Sequence, residues 1–458
     1  MKFLISTKLF LLTVGILCCV SLSYSTAQAE VTYSLSSGES IAVNDATGDI
    51  FLAGYTLTEK SVKDKAKSDR FELLDYFNKT TFISKFDKDG RQLWLKTLVV
   101  PIGAEAESVL IDELGNSYVT GRTEANLDGE NQGEFDAFIA KYNVGGEQVW
   151  LKQFGTPRDD TGAELALTTT GEILVVGKTY TNITNLPNIN SIPQDHVFLT
   201  KWTVEGQQQW LREFEIFGGQ YISTNGVDVD DRGHVFITGQ TSTERVFTDP
   251  IGINVYIAKF TEQGYLLWQE IFGGVMNTFI RAVSANQQYV FVAGVTADNN
   301  VGEKDYETPR NESVDAVLAS YNTDGSEHWI KQFGAQESYD GRDVVVDALG
   351  NAIVVGSGNG IIGGDPLGAS DAFVVQYSSE GQQAWADNLG TEEFDAAIGV
   401  ATDGQGNIYV TGYLYETWDD LRKGSYGDKN AGHHIFLTKY TSDGQQIWLR
   451  TIKSEAAQ

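Results

Sequence analysis

The chain has little cysteine, proline or methionine: of 458 residues, Cys accounts for 2, Pro for 7 and Met for 2. Both cysteines, Cys18 and Cys19, fall in one apolar N-terminal run, so the remaining chain can form no disulfide and must rely on a large packed core. Basic residues are scarce as well, with Lys+Arg 33 against Asp+Glu 62 and a formal net charge of -29. So acidic a surface repels nucleic acid and anionic membranes; it favours solubility, cations or basic partners. The five histidines are His196, His234, His328, His433 and His434, and the adjacent pair has no partner at a recognisable metal-ligand spacing. No Gly-x-Ser-x-Gly elbow stands at a strand-to-helix turn, and no zinc-protease helix motif is present. The glycine-rich run Gly356-Ser357-Gly358-Asn359-Gly360 follows a strand but opens no helix, so it reads as a flexible loop rather than a phosphate cradle.

The one long apolar run, Leu9 to Leu22, follows Lys2 and Lys8 and precedes Ala27-Gln28-Ala29. This pattern predicts a secretory signal peptide over residues 1–29, cut after Ala29, and the run is short for a membrane span. Without Lys2 and Lys8 the formal charge moves from -29 to -31. Export without disulfides fits a large self-supporting core.

What the chain has in quantity is a repeat. Phe86, Tyr142, Trp202, Phe260, Tyr321, Tyr377 and Tyr440 are each followed four places on by glycine: Gly90, Gly146, Gly206, Gly264, Gly325, Gly381 and Gly444. Four places further stand Trp94, Trp150, Trp210, Trp268, Trp329, Trp385 and Trp448. Near-alternating apolar and β-prone residues flank each glycine, which supplies the positive φ of a tight hairpin. Between the tryptophan hairpins lies a second unit closed by Gly54, Gly121, Gly177, Gly239, Gly294, Gly356 and Gly412. Its inner turn is often Asp-x-x-Gly, as at Asp112/Gly115, Asp230/Gly233, Asp347/Gly350 and Asp403/Gly406, with Asp45/Gly48 in the first unit. An aspartate there can hold backbone N–H groups two residues on, which needs no calcium.

Successive tryptophans are 56, 60, 58, 61, 56 and 63 residues apart, too short a period to bury its own apolar faces alone. Four antiparallel strands per period, seven times over, predict an all-β, seven-bladed β-propeller covering residues 30–458. Two departures stand out: Asn286-Gln287-Gln288 replaces the Asp-Gly turn in blade 5, and Trp202 takes the aromatic position in blade 3. Val31 to Leu35 is available as a short strand to latch the ring.

The units Asp136-Ala137-Phe138-Ile139-Ala140-Lys141-Tyr142 … Gly146 … Trp150 and Asp371-Ala372-Phe373 … Tyr377 … Gly381 … Trp385 resemble the bacterial seven-bladed β-propeller repeat family, the SBBP repeats. So does Gly399-Val400-Ala401 … Asp403 … Gly406-Asn407-Ile408-Tyr409-Val410-Thr411-Gly412, and the likeness runs from about residue 38 to 452. It implies the propeller fold and export strongly and a function only weakly. Gly-x-x-x-Trp after an aromatic also resembles quinoprotein dehydrogenase repeats, but those enzymes typically have eight blades and often an adjacent cysteine pair. Seven blades and no cysteine after the signal argue against a quinone cofactor.

An up-and-down blade puts its two glycine turns on one face and its long loops on the other. The long loops are 57–80, 123–135, 180–196, 242–253, 297–314, 358–370 and 414–433, joined there by blade connectors such as 155–162 and 390–395. Variable loops on a rigid scaffold are where binding is expected. The repeated tryptophans are expected to pack between blades. Trp418 lies outside the repeat beside Asp419 and Asp420, and together with Tyr339 forms the candidate ligand-binding set. Acidic clusters on the same face, among them Asp128, Glu130, Glu134 and Asp136, read by default as solvated charge. Asp160, Asp340 and Asp395, just ahead of the innermost strands, are the candidate calcium ligands at the channel mouth. The expected function is an exported, monomeric, non-enzymatic scaffold for an extracellular or envelope protein or glycan, calcium-assisted in its sharper form. No nucleic acid and no membrane insertion are expected. The competing expectation is an enzyme that acts on extracellular polysaccharide through paired carboxylates.

Overall fold

A computed structural model describes residues 34–44, 47–59, 77–97, 104–112, 114–181, 194–216, 221–242, 253–272, 278–296, 314–334, 338–414 and 434–452. They form 28 β-strands and no helix, in seven sheets of four antiparallel strands each, and consecutive strands are always neighbours. The first strands of the seven sheets are Ser34–Val43, Ala104–Ile111, Thr161–Leu167, Tyr221–Val229, Thr278–Ala285, Tyr339–Val346 and Ala396–Thr402. Each touches the first strand of the next sheet, and the seventh touches the first, so they line a central channel. The chain is a seven-bladed β-propeller.

Burial follows from position in the blade. The third strand Asp136–Tyr142 is buried throughout because neighbouring blades cover both its faces, whereas the outermost strand Gln148–Phe154 stays exposed or half-buried. The apolar clusters accordingly run between blades rather than within them. One joins Leu174, Val176 and Leu199 of blade 3 to Val235, Ile237 and Tyr256 of blade 4. Another joins Tyr409, Ile435 and Leu437 of blade 7 to Ile41, Ile50 and Phe82 of blade 1.

That last cluster closes the ring. Blade 1 is built wholly from Ser34 to Thr97 and blade 7 from Ala396 to Ile452, so no strand is exchanged between the termini. Leu35 belongs to the first strand of blade 1, and Val31 lies outside the described residues.

The two sets of repeated glycines have different reasons. Every first strand carries a one-residue β-bulge, and the residue just before the bulge pairs with the closing glycine: Gly38↔Gly54, Ala106↔Gly121, Gly162↔Gly177, Thr224↔Gly239, Ile280↔Gly294, Gly341↔Gly356 and Ala397↔Gly412. The extra residue pushes the first strand's backbone against its partner. A Cβ on Gly121, Gly239 or Gly294 would overlap the carbonyl of Glu105, Ser223 or Phe279.

The hairpin glycines, by contrast, take φ of +73° to +94°. Each also receives the tryptophan of the preceding blade: a methyl group on Gly146, Gly206 or Gly264 would lie 2.8 Å from Trp94, Trp150 or Trp210. Gly90 takes Trp448 in the same way, at 2.9 Å, which carries the series across the ring junction. Several indoles also donate Nε1–H to a carbonyl of the next hairpin, from Trp150 to Val204 at 3.1 Å and from Trp385 to Ser442 at 3.2 Å. The tryptophans therefore pack between blades, at the rim and half exposed.

The Asp-Gly turns are held by hydrogen bonds. The Asp112 carboxylate accepts from the Leu114 and Asn116 backbone N–H groups at 3.0 and 2.9 Å, from Asn116 Nδ2 at 2.8 Å, and from the Tyr118 hydroxyl at 3.0 Å. Asp403 makes the same set with Gln405, Asn407 and Tyr409. In blade 1 Asn44 holds the turn, its Oδ1 accepting from Thr47 N–H at 2.9 Å, and Asp45 lies outside the described residues. Asn286 substitutes in blade 5 and holds Gln288 and Tyr289 N–H at 2.8 Å.

Candidate functional site

The meander sorts the connections onto two faces. The turns closed by positive-φ glycines share one face; the connections from second to third strands and from blade to blade leave from the other. On the tight-turn face an open hollow of about 330 Å³ lies beside blade 5, lined by Gln288, Tyr289, Asn322, Thr323 and Asp324. On the long-loop face residues 124–135 and 359–370 are described, while Trp418, Asp419 and Asp420 lie outside the described residues.

The candidate calcium ligands do not converge. Asp160, Asp395 and Tyr339 are structural equivalents: each precedes or opens an innermost strand, and their N–H groups donate to Phe135, Ser370 and Val314 carbonyls at 2.8, 2.7 and 2.8 Å. They belong to blades 3, 7 and 6, and each is buried. Asp160 accepts from Thr156 N–H at 2.6 Å and from its hydroxyl at 3.0 Å; burial pushes its carboxyl up despite those bonds, and the neighbouring Asp136 charge adds to the rise. Asp395 accepts from the Thr391 hydroxyl at 3.1 Å. Tyr339 is 5% exposed, its ring 6.4 Å from Phe333 and 6.0 Å from Phe373, which makes it part of the core between blades.

Asp340 is one residue out of step with the other two aspartates. It lies inside the innermost strand, between Arg281 Nε and Arg342 Nε, both at 2.9 Å. A carboxylate so engaged is neutralised by its own framework. Among the described residues no group of three or more His, Cys, Asp or Glu side chains gathers as a metal site.

Sequence reasoning passed over a second set of acids, Glu164, Asp228 and Asp343 in the channel wall. The innermost strand has no partner on its inner edge, so its free N–H groups need other acceptors. Side chains reaching from the neighbouring blade supply them. Asp343 accepts from Val400 N–H at 2.8 Å, Asp228 from Ala285 N–H at 2.7 Å, and Ser40 Oγ from Val109 N–H at 3.3 Å. Ser284 links three blades, donating to Asp228 at 3.1 Å and accepting from Val346 N–H at 3.1 Å. Glu164 accepts from the Ser108 hydroxyl.

Burial raises all three carboxyls, Glu164 to about 8 and Asp228 and Asp343 to about 6; the Asp343 and Asp228 charges add to the rise at Glu164, Asp228 to that at Asp343, and Asp230 to that at Asp228. The available signal was an acid in an otherwise small and apolar segment such as Gly162-Ala163-Glu164-Leu165-Ala166. A raised carboxyl pKa is a mark of acid/base catalysts, but here each carboxylate is committed to joining strands.

No protein-family profile matches the chain. It is 20% identical over 366 residues to an uncharacterised WD repeat-containing protein of Acanthamoeba polyphaga mimivirus, covering 61% of this chain and 26% of that one. It is 24% identical over 192 residues to the regulatory protein FlaEY of Caulobacter vibrioides, covering 40% of this chain and 20% of that one. The chain thus spans about a quarter or less of the length of these relatives. Among solved structures, hydrazine synthase of Kuenenia stuttgartiensis is similar with a TM-score of 0.49 at 8% identity, covering 93% of this chain and 100% of that one. Synechocystis apocarotenoid oxygenase is similar with a TM-score of 0.48 at 8% identity, covering 92% of this chain and 93% of that one. Likeness at this level says nothing about chemistry.

Proposed function

We propose that the protein is a non-enzymatic binding scaffold that presents its long-loop face to a protein or glycan partner outside the cytoplasm. One observation carries the reading: all the long connections leave from one end of a rigid ring, whereas the other end is finished with tight glycine turns. Loops on a framework of packed blades can vary without disturbing the core. The apolar segment Leu9 to Leu22 after Lys2 and Lys8, together with the SBBP-like repeat, supports an exported setting. An acidic surface favours a basic protein or a neutral glycan over an anionic polymer. The half-buried acids of the channel wall support binding over catalysis, since their hydrogen bonds are spent on joining blades.

The test is a panel of polysaccharides and basic proteins presented to the full chain and to a variant carrying Trp418→Ala, Asp419→Asn and Asp420→Asn. The expected result is a ligand whose affinity falls at least tenfold in the variant while its melting temperature is unchanged. Binding that survives these changes and loss of the other long loops would remove the loop face from consideration. Turnover of a polysaccharide would replace the scaffold with an enzyme.

A further inference from the structure

The long-loop face holds one arrangement twice. Asp136 opens the third strand of blade 2, where the loop 124–135 ends, and Asp160 directly precedes the first strand of blade 3. Asp371 and Asp395 hold the same two positions in blades 6 and 7. These four carboxylates are 0%, 2%, 1% and 1% exposed. The connector in each case reads Gly-Thr-x-x-x-Asp, from Gly155 to Asp160 and from Gly390 to Asp395.

One oxygen of each strand aspartate is engaged. Asp136 Oδ2 accepts from Gln132 N–H at 3.0 Å and Gln153 Nε2 at 2.8 Å, and Asp371 Oδ2 from Leu367 N–H at 2.7 Å. The other oxygen, Oδ1 in both, is buried with no hydrogen-bond partner. Both of these oxygens turn toward the connector glycine. A methyl group on Gly155 would lie 2.6 Å from Asp136 Oδ1 and 2.9 Å from Asp160 Oδ2. One on Gly390 would lie 3.2 Å from Asp371 Oδ1 and 2.5 Å from Asp395 Oδ2. Glycine is what lets the two carboxylates face one spot.

We propose that each pair, Asp136 with Asp160 and Asp371 with Asp395, binds a hard divalent cation of the calcium class. Two buried carboxylates side by side, one with an orphaned oxygen, are strongly unfavourable unless a positive charge joins them. The donors are all oxygen, with no histidine or cysteine, which suits calcium rather than zinc. Calcium takes about six to eight oxygens, so carbonyls and water complete the set. The carbonyls are at hand, because the long loop and the connector are clasped. Gly133 lies against the Arg158 backbone and Gly368 against the carbonyls of Thr391 and Glu393, and Ala369 N–H donates to Glu393 O at 3.1 Å. A cation here fastens the end of the long loop to the blade junction and sets the shape of the binding face.

Blade 5 supplies an internal control. Asp315 faces Gly334 as Asp136 faces Gly155, its Oδ2 accepts from Gln332 Nε2 at 2.7 Å and its Oδ1 likewise has no hydrogen-bond partner, but Tyr339 stands where Asp160 and Asp395 stand. One carboxylate makes no site, so two ions are expected and not three.

This inference rests on the scaffold reading only for its consequence, and its test involves no partner, so either can fail without the other. Metal-stripped full chain is titrated calorimetrically with Ca²⁺, with the expectation of two ions per chain. Asp136→Asn and Asp371→Asn should each lose one site, the double variant both, and Asp315→Asn neither. Hydrogen exchange of the unmutated chain covers the case of a variant that fails to fold. Added Ca²⁺ should slow exchange at 132–136, 155–160, 367–371 and 390–395, and leave 314–315 and 334 unchanged. No heat and no protection in the unmutated chain, or two ions still bound by a folded double variant, would overturn the proposal.

Discussion

At the residue scale, glycine is used for two unrelated purposes, and substitution separates them. Gly171 and Gly206 both have φ +81°, but nothing lies within 4 Å of a methyl group on Gly171, whereas one on Gly206 meets Trp150 at 2.8 Å. Gly171→Ala should therefore cost only the left-handed backbone term, about 1–2 kcal/mol. Gly206→Ala should cost more, because it also displaces the indole that joins blade 2 to blade 3. Urea midpoints of the two variants measure the difference, and equal losses would mean that the tryptophan contact contributes nothing. The same logic explains why the closing glycines have no exception: their barrier is a carbonyl across the bulge, and backbone cannot step aside as a side chain can.

At the scale of the strand, the propeller has to deal with seven innermost strands that each present an unpaired edge to the channel. The answer is a belt of side chains from one first strand to the next. Ser284 is its clearest member, since its hydroxyl both donates to Asp228 and accepts from Val346 N–H. Ser284→Ala should destabilise by about 1 kcal/mol, the usual effect of losing one hydrogen bond to a part-buried donor. Chemical unfolding would show this, and an unchanged midpoint would imply that water reaches the Val346 amide. Asp340, caught between Arg281 and Arg342, is part of the same belt.

For the whole molecule, the acids of the channel wall set a pH dependence. Glu164 rises from an ordinary 4.5 to about 8, and Asp228 and Asp343 from 3.8 to about 6. A carboxyl whose folded value lies above its unfolded value holds its proton more tightly in the fold. Its contribution is therefore full below the unfolded value and is lost as pH rises through the folded one. Stability should fall between about pH 5 and pH 8, and the negative net charge acts in the same direction. Melting temperatures across this range test it. Glu164→Gln, which keeps an acceptor for Ser108, should flatten the upper part of the curve, and a profile rising with pH would contradict the assignment.

The number of blades, the strand order and the two faces were legible in the sequence because each rests on local rules. Gly146 or Gly264 needs positive φ for a turn, Asp112 or Asp403 needs only its own turn amides, and Trp94 to Trp448 recur at a period no single blade can bury. The partnerships between blades were not legible. Asp340 and Asp160 look alike in sequence, each an acid just ahead of or within an innermost strand. Their registers differ by one residue, and a one-residue slip in a strand turns a side chain to the opposite face. Asp136 and Asp160 are 24 positions apart and meet only because adjacent blades bring the loop end and the connector together over Gly155. Local chemistry specifies turns and strands, but which two carboxylates share one buried spot depends on how the blades pack, and only the closed ring decides that.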